Sequence, residues 1–259
     1  MNAMEHEVET PLLRTREGRE GEILVLKLNR PHVLNAINWQ LLQMLEETLV
    51  EAEADQSLRC LLIEGAGEKA FCSGADLHSV ASLTPSQAYE WVRLGHRILN
   101  RLVCSRLPSI AAVRGYTLGG GLELALACDL RVAAESAVLG LPELKRGWLP
   151  GWGGVRRLAA VVGPGRARSI VLLGESVGAE DALTLGLVQQ VVTDGRLASA
   201  AREIAARLAD LPADLVREAK AQLNTSCAII DEEAINHDAG LLAEAISTIG
   251  FQETTQPYR

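Results

Sequence analysis

The chain has 259 residues, of which 48% are hydrophobic and 22% charged, with a formal net charge of −8. That length suits one large domain, or one domain with a helical appendix, and supplies apolar residues enough for a sizeable core. The acidic balance disfavours nucleic acid as a partner while leaving room for a small anionic ligand in a local basic pocket, and no apolar run approaches a membrane span.

The opening stretch "MNAMEHEVETPLLRTREGREGE" carries six glutamates before residue 23. It has neither the apolar core of a secretory signal nor the acid-poor composition of a transit peptide, so a cytoplasmic location is expected. "EILVLKLN" (22–29) alternates and ends at Arg30-Pro31, a strand and then a turn. "WQLLQMLEETLVEAEA" (39–54) sets Trp39, Leu42, Leu45 and Leu49 on one face, an amphipathic helix with Asn38 as its N-cap. "RCLLIEGAG" (59–67) is a strand closing in a glycine turn, and 85–105 a long second helix. "SIAAVRGYT" (109–117) is a strand, "LGGGLELALACD" (118–129) a buried helix, and "DLRVAAES" (129–136) another strand. Beyond "GWLPGWGGVRRL" the pattern is mostly helical, with one short strand at 187–193. Strands alternating with helices predict α/β layering of parallel character. A boundary near 194–200 divides residues 1–195 from a helical region, 196–259. The five cysteines, Cys60, Cys72, Cys104, Cys128 and Cys227, include no CxxC pair. Free, mostly buried thiols are expected, without a zinc site.

Two glycine-rich turns stand out, "AFCSGADL" (70–77) and "GYTLGGGLEL" (115–124). Such glycines let a ligand approach the backbone, and the second turn aims free N–H groups from a helix N-terminus, which favours negative charge. Neither turn is a dinucleotide fingerprint or a Walker loop. Glu123 sits in this second segment among Leu122, Leu124, Ala125, Leu126 and Ala127. A carboxylate in such company costs several kcal/mol unless paired, solvated or protonated. Three accounts are open: an ion pair with Arg131 or Arg114, an offset to the helix dipole, or an acid-base group at the floor of a pocket with its pKa raised. Glu143 in "LGLPELKRGWLPGWGG" is either a helix start behind Pro142 or part of a loop shaping a cavity.

Taken together, "LNRPHVLNAIN", "AFCSGADL", "GYTLGGGLELALACDLRVA" and "LGLPELKRGWLPGWGGVRRL" resemble the crotonase superfamily, of which enoyl-CoA hydratase is the type. The resemblance runs in order from about residue 22 to 210 and more loosely to 245. It implies a crotonase-like spiral of ββα units with a helical C-terminal region that builds a homotrimer or a hexamer of two trimers. It implies an oxyanion hole made by the N–H groups of Ala75 and Gly120, which hold a thioester oxygen as it becomes an enolate. Glu123 and Glu143 match the two glutamates that hydratases of the family use to grip one water, Glu123 activating it and Glu143 exchanging the α-proton. Relatives that isomerise, hydrolyse or decarboxylate commonly lack one of the two.

The same resemblance implies that Ser73 and Gly74 meet the adenine and that Asp76 and Leu77 belong to the CoA-binding turn. His32 and His78 stand where relatives often carry phosphate-contacting lysine, so CoA affinity is expected to rise as pH falls toward about 6. Trp148 and Trp152 replace residues that are often small, and Trp152, if it points inward, shortens the acyl pocket. The tail "AISTIGFQETTQPYR" departs from the family's basic final helix. The expected activity is hydration of a 2-enoyl-CoA thioester or its reverse, with acyl-CoA as partner and no cofactor beyond the CoA of the substrate. An enoyl-CoA isomerase, a dehydratase on a carrier-protein thioester and a non-catalytic acyl-CoA-binding relative are the alternatives.

Overall fold

A computed structural model describes residues 10–226 and 231–248, with side-chain surroundings described to 224 and from 231 to 246. Strand β1 (Leu12–Glu17) pairs antiparallel with β2 (Ile23–Leu28). Helix α1 (Trp39–Ala54) begins at Asn38, whose side chain accepts the Leu41 N–H, and buries Leu41, Leu42, Leu45 and Leu49. Three ββα units follow. The first is β3 (Cys60–Gly65), β4 (Ala70–Cys72), a short α2 (Leu77–Ala81) and α3 (Pro85–Cys104). The second is β5 (Ser109–Val113), β6 (Tyr116–Leu118) and α4 (Gly120–Ala127). The third is β7 (Leu130–Ala134), β8 (Val138–Gly140) and α5 (Gly154–Leu172), broken at Gly163-Pro164 where φ is +79°. Then come β9 (Ser176–Gly178), α6 (Ala179–Thr184), β10 (Gln190–Val192), α7 (Leu197–Ala209), α8 (Ala213–Ser226) and α9 (Glu232–Thr248).

Each unit lays its first strand in one sheet and its second in another. The larger sheet runs β1-β2-β3-β5-β7-β10 and the smaller β4-β6-β8-β9, with β1 and β9 the antiparallel edges of otherwise parallel sheets. This is the expected α/β spiral. The predicted strand 109–117 is two strands in two sheets. The chain turns at Arg114-Gly115, where Gly115 has φ +50° and an added Cβ would stand 2.0 Å from the Lys69 carbonyl oxygen. Strands of three residues carry too little alternation to be seen in sequence, which is why β4, β6, β8 and β9 escape notice.

The larger sheet is covered on both faces, so its strands are apolar almost throughout. Leu24, Leu26, Leu61, Ile63, Ala111 and Val113 face the main core with α1, α3 and α4. Ile23, Val25, Cys60, Leu62, Ile110 and Ala112 face Leu197, Ala200, Ala201 and Ala205 of α7. Helix α9 packs along α3, where the Tyr89 hydroxyl donates to Asn236 at 2.8 Å. The helices beyond residue 195 therefore lie on the body of the fold. Cys60, Cys72, Cys104 and Cys128 are free, and burial pushes the thiols of Cys60, Cys72 and Cys128 up to about 12. Cys227 and the tail from 249 onward lie outside the described residues. Among those described, no helix is long and apolar enough to cross a membrane.

Candidate active site

Strands β4, β6 and β8 are parallel neighbours, so their carboxyl ends open on the same side. In parallel sheets that end is the usual place for a ligand. The chain leaves β4 through Ser73–His78, β6 through Gly119–Glu123 and β8 through Pro142–Trp152, and residues of all three segments line one cavity of about 330 Å³. This sheet order is the physical reason why motifs dozens of residues apart in sequence meet.

The two glycine turns touch. Gly74 has φ +104°, and a Cβ there would stand 3.0 Å from the Leu118 carbonyl oxygen and 3.4 Å from the Gly120 nitrogen. Ile37 bridges the first turn, donating to the Gly74 carbonyl and accepting from the Asp76 N–H, both at 2.8 Å. Ala75 lies between those bonds, so its own N–H faces away from Ile37. Gly120 opens α4, where an N–H has no intrahelical acceptor. Among the described residues neither N–H donates to a protein group.

The three glycines of the second turn each leave room for something different. A Cβ on Gly119 would stand 2.7 Å from Glu143 Oε1, one on Gly120 2.6 Å from the Trp152 ring, and one on Gly121 2.1 Å from the Cys72 carbonyl oxygen. The turn is thus shaped by Glu143, by Trp152 and by strand β4 at once.

Glu123 stands in the first turn of α4, as one sequence account required, but its carboxylate reaches another helix. Its Oε1 accepts the Trp152 N–H at 2.8 Å and the Gly154 N–H at 2.7 Å, at the start of α5. No ion pair joins it to Arg131, which is bound to the carbonyls of Ala125, Cys128 and Leu187, or to Arg114, which donates to the Asp194 carbonyl. Glu123 is 2% exposed. Burial raises its pKa to about 7 against the two N–H bonds and the charge of Arg157, which hold it down. Arg157 is itself pushed down to about 10 by burial and braces the loop through the Trp152 carbonyl and Asn100 Oδ1.

Glu143 begins a single 3-10 turn, Glu143–Arg146, just after Pro142, and the loop beyond it walls the cavity, so the helix start and the cavity loop are both present. Its Oε2 is buried without a hydrogen-bond partner among the described residues. Burial, and then the neighbouring Glu123 charge, push its pKa up to about 8. One carboxylate is held by N–H donors, which favours its ionised form. The other is buried beside a like charge, which favours its protonated form. Such a pair keeps a base and an acid side by side near neutral pH.

The remaining predicted residues fall at different depths. Ser73, Gly74, Ala75, Leu77 and His78 line the cavity, with His78 exposed at its edge. Asp76 also lines it, but its carboxylate is committed: it accepts the Ser79 N–H at the start of α2 and pairs with Arg30 at 2.9 Å. His32 is exposed on the 3-10 turn Pro31–Val33, off the cavity. Trp152 points inward, 3% exposed, and Trp148 lines the cavity as well. Trp91, Val92 and Leu242 also line it and were not foreseen. Gly95, beside Trp91 on α3, did carry a signal, because a lone glycine inside a helix usually has a packing reason. Among the described residues no cluster of three His, Cys, Asp or Glu side chains is placed to hold a metal ion.

Known proteins share this architecture. The sequence matches the enoyl-CoA hydratase/isomerase family over residues 18–259. It is 34% identical over 230 residues to a short-chain-enoyl-CoA hydratase of Clostridium acetobutylicum, covering 89% of this chain and 88% of that one. It is 42% identical over 206 residues to a putative enoyl-CoA hydratase/isomerase, YngF, of Bacillus subtilis, covering 80% and 79%. The crystal structure of an enoyl-CoA hydratase from Bacillus anthracis superposes with a TM-score of 0.81 at 33% identity, over 96% of this chain and 98% of the other.

Proposed function

The chain belongs to the enoyl-CoA hydratase/isomerase family, and from that premise we propose that it is an enoyl-CoA hydratase, adding water reversibly across the α,β double bond of a 2-enoyl-CoA thioester. The observation that carries this is the unequal carboxylate pair: Glu123 held by two backbone N–H groups, Glu143 buried with an unpartnered oxygen beside it.

The thioester oxygen lies between the Ala75 and Gly120 N–H groups. Their bonds to it strengthen as it gains charge, and a donor of this kind is worth about 3–4 kcal/mol in the transition state. Ionised Glu123 takes a proton from a water as its oxygen bonds to the β-carbon. The electron pair of the double bond shifts toward the thioester, and protonated Glu143 delivers its proton to the α-carbon. Glu123 and Glu143 are neighbours and act from one side of the bound thioester, so both new bonds form on the same face of the substrate, a syn addition. The protons then redistribute between the two carboxylates and solvent. The CoA arm leaves past Leu77 and His78, where the cavity opens.

A direct test follows the ultraviolet absorbance of crotonyl-CoA in water with purified protein. Loss of the conjugated-thioester signal with formation of the 3-hydroxyacyl product is expected. Inertness toward a panel of 2-enoyl-CoAs would remove the proposal.

A further inference from the structure

The cavity has a graded lining. At its open side stand Tyr116, 41% exposed, and Leu149, 38% exposed. At its inner end stand Val80, Trp91, Val92, Trp152 and Leu242, all apolar and none more than 8% exposed. An acyl chain anchored at Ala75 and Gly120 and directed past the two glutamates runs toward that inner end.

Trp152 sets how far it can run. The indole spans the gap between α4 and α3: its six-membered ring lies against Gly120, and its nitrogen would stand 2.1 Å from a Cβ on Gly95. It is backed by Trp91, with ring centres 5.5 Å apart, and Trp91 by Trp39 at 5.7 Å. The Trp152 backbone N–H is tied to Glu123, so the residue that closes the pocket is also bonded to the group assigned to activate water. A three-ring stack with glycine at both contact points is a wall that a longer chain cannot displace by a rotamer change alone, because packed interiors have no spare volume to receive it.

Resting on the hydratase proposal, we infer that Trp152, backed by Trp91 and Trp39 and seated on Gly95 and Gly120, is the chain-length determinant of this enzyme and confines it to short acyl thioesters. Selectivity follows because a mismatch of one methylene in a closed apolar pocket changes kcat/KM by about 10- to 200-fold.

The test measures kcat/KM for hydration of crotonyl-, hexenoyl-, octenoyl- and decenoyl-CoA by the wild type and by Trp152→Leu, which keeps the backbone N–H on Glu123. Binding of the saturated butanoyl- to decanoyl-CoA series, read by calorimetry, accompanies it. In the wild type, kcat/KM is expected to fall at least about 100-fold from crotonyl to decenoyl, and in Trp152→Leu to fall less than about 10-fold. Trp152→Phe keeps a ring in the core and gives an intermediate profile, so the idea survives a Leu variant that fails to fold. Equal turnover of all four substrates by the wild type, or a Leu variant with an unchanged profile, overturns the inference. If no enoyl-CoA is hydrated while butanoyl-CoA binds and decanoyl-CoA does not, the hydratase proposal fails and the wall stands. Equal affinity along the saturated series removes the wall whatever the activity.

Discussion

Two of the charge clusters that this fold takes in from solvent are built on opposite terms. Just beyond the C-terminal end of α4, Lys220 of α8 donates to Asp129 Oδ2 at 2.8 Å and to the carbonyls of Leu107 and Leu102 at 2.9 and 3.1 Å. The same Asp129 oxygen accepts the Ser109 N–H at 2.7 Å and its hydroxyl at 2.8 Å. Every ammonium proton has an acceptor and the charges are opposite. In the cavity the two groups are both carboxyls, one oxygen of Glu143 has no partner among the described residues, and both pKa values are raised. The first cluster holds the helical C-terminal region to the β5–β7 layer. The second costs stability and keeps a proton available. Burial of charge alone does not mark a site; unmatched burial does.

The largest effect that sharpens this contrast is on turnover. Glu123→Gln and Glu143→Gln each lower kcat by about 100-fold or more, with no loss in melting temperature, because the first removes a buried charge and the second replaces a buried, protonated carboxyl with a neutral amide. A variant with full hydratase activity refutes the role of that residue, and isomerisation that survives only in Glu123→Gln points to an isomerase. Next in size is Lys220→Met, which leaves Asp129 without its cation. It is expected to lower unfolding free energy by about 2–3 kcal/mol, less than for a wholly buried pair because Asp129 keeps Ser109 and some solvent, while kcat per folded molecule stays at the wild-type value. Urea unfolding alongside the absorbance assay separates the two; a drop in kcat with unchanged stability would erase the distinction between the clusters.

A further effect is on the pH dependence of stability. The carboxylate pKa is 4.5 in the absence of perturbation and about 7 and 8 for folded Glu123 and Glu143. Below 4.5 both states hold the protons and nothing is lost. Between that value and about pH 8 the unfolded chain releases protons that the folded chain keeps, so stability falls as pH rises. Melting temperature is therefore expected to decline from about pH 5.5 to about pH 8, and to decline less in Glu143→Gln. Identical slopes would show that Glu143 is not held protonated by the fold.

Much of the site is visible in the amino-acid order because its cost is local. An acid in an otherwise apolar helix is conspicuous wherever the helix lies, and three consecutive glycines announce a backbone approached from several sides. Glu123 and the second turn could be named on that basis; the first turn showed only a glycine after a strand and loop, Glu143 read equally as a helix start or a cavity loop, and the crotonase resemblance supplied their joint purpose. The α/β alternation was likewise legible from hydrophobic runs. What stayed hidden was short or directional. The three-residue strands β4, β6 and β8 have no usable periodicity, yet they form the sheet that gathers the site. Leu242 sits on a helix whose sequence is an ordinary amphipathic pattern.

Sequence alone determined the kind of chemistry, because residue type settles which groups can donate, accept or hold a proton. Tertiary structure decided who faces whom. The sheet order β4-β6-β8 set Glu143 against Gly119 and left its oxygen unpartnered. The start of α5 turned Glu123 away from Arg131 and Arg114 and onto two N–H groups. Gly95 let an indole lie against Gly120 and close the pocket. These are facts of distance between segments remote in the chain, and an electrostatic or steric contact has no existence until folding supplies that distance.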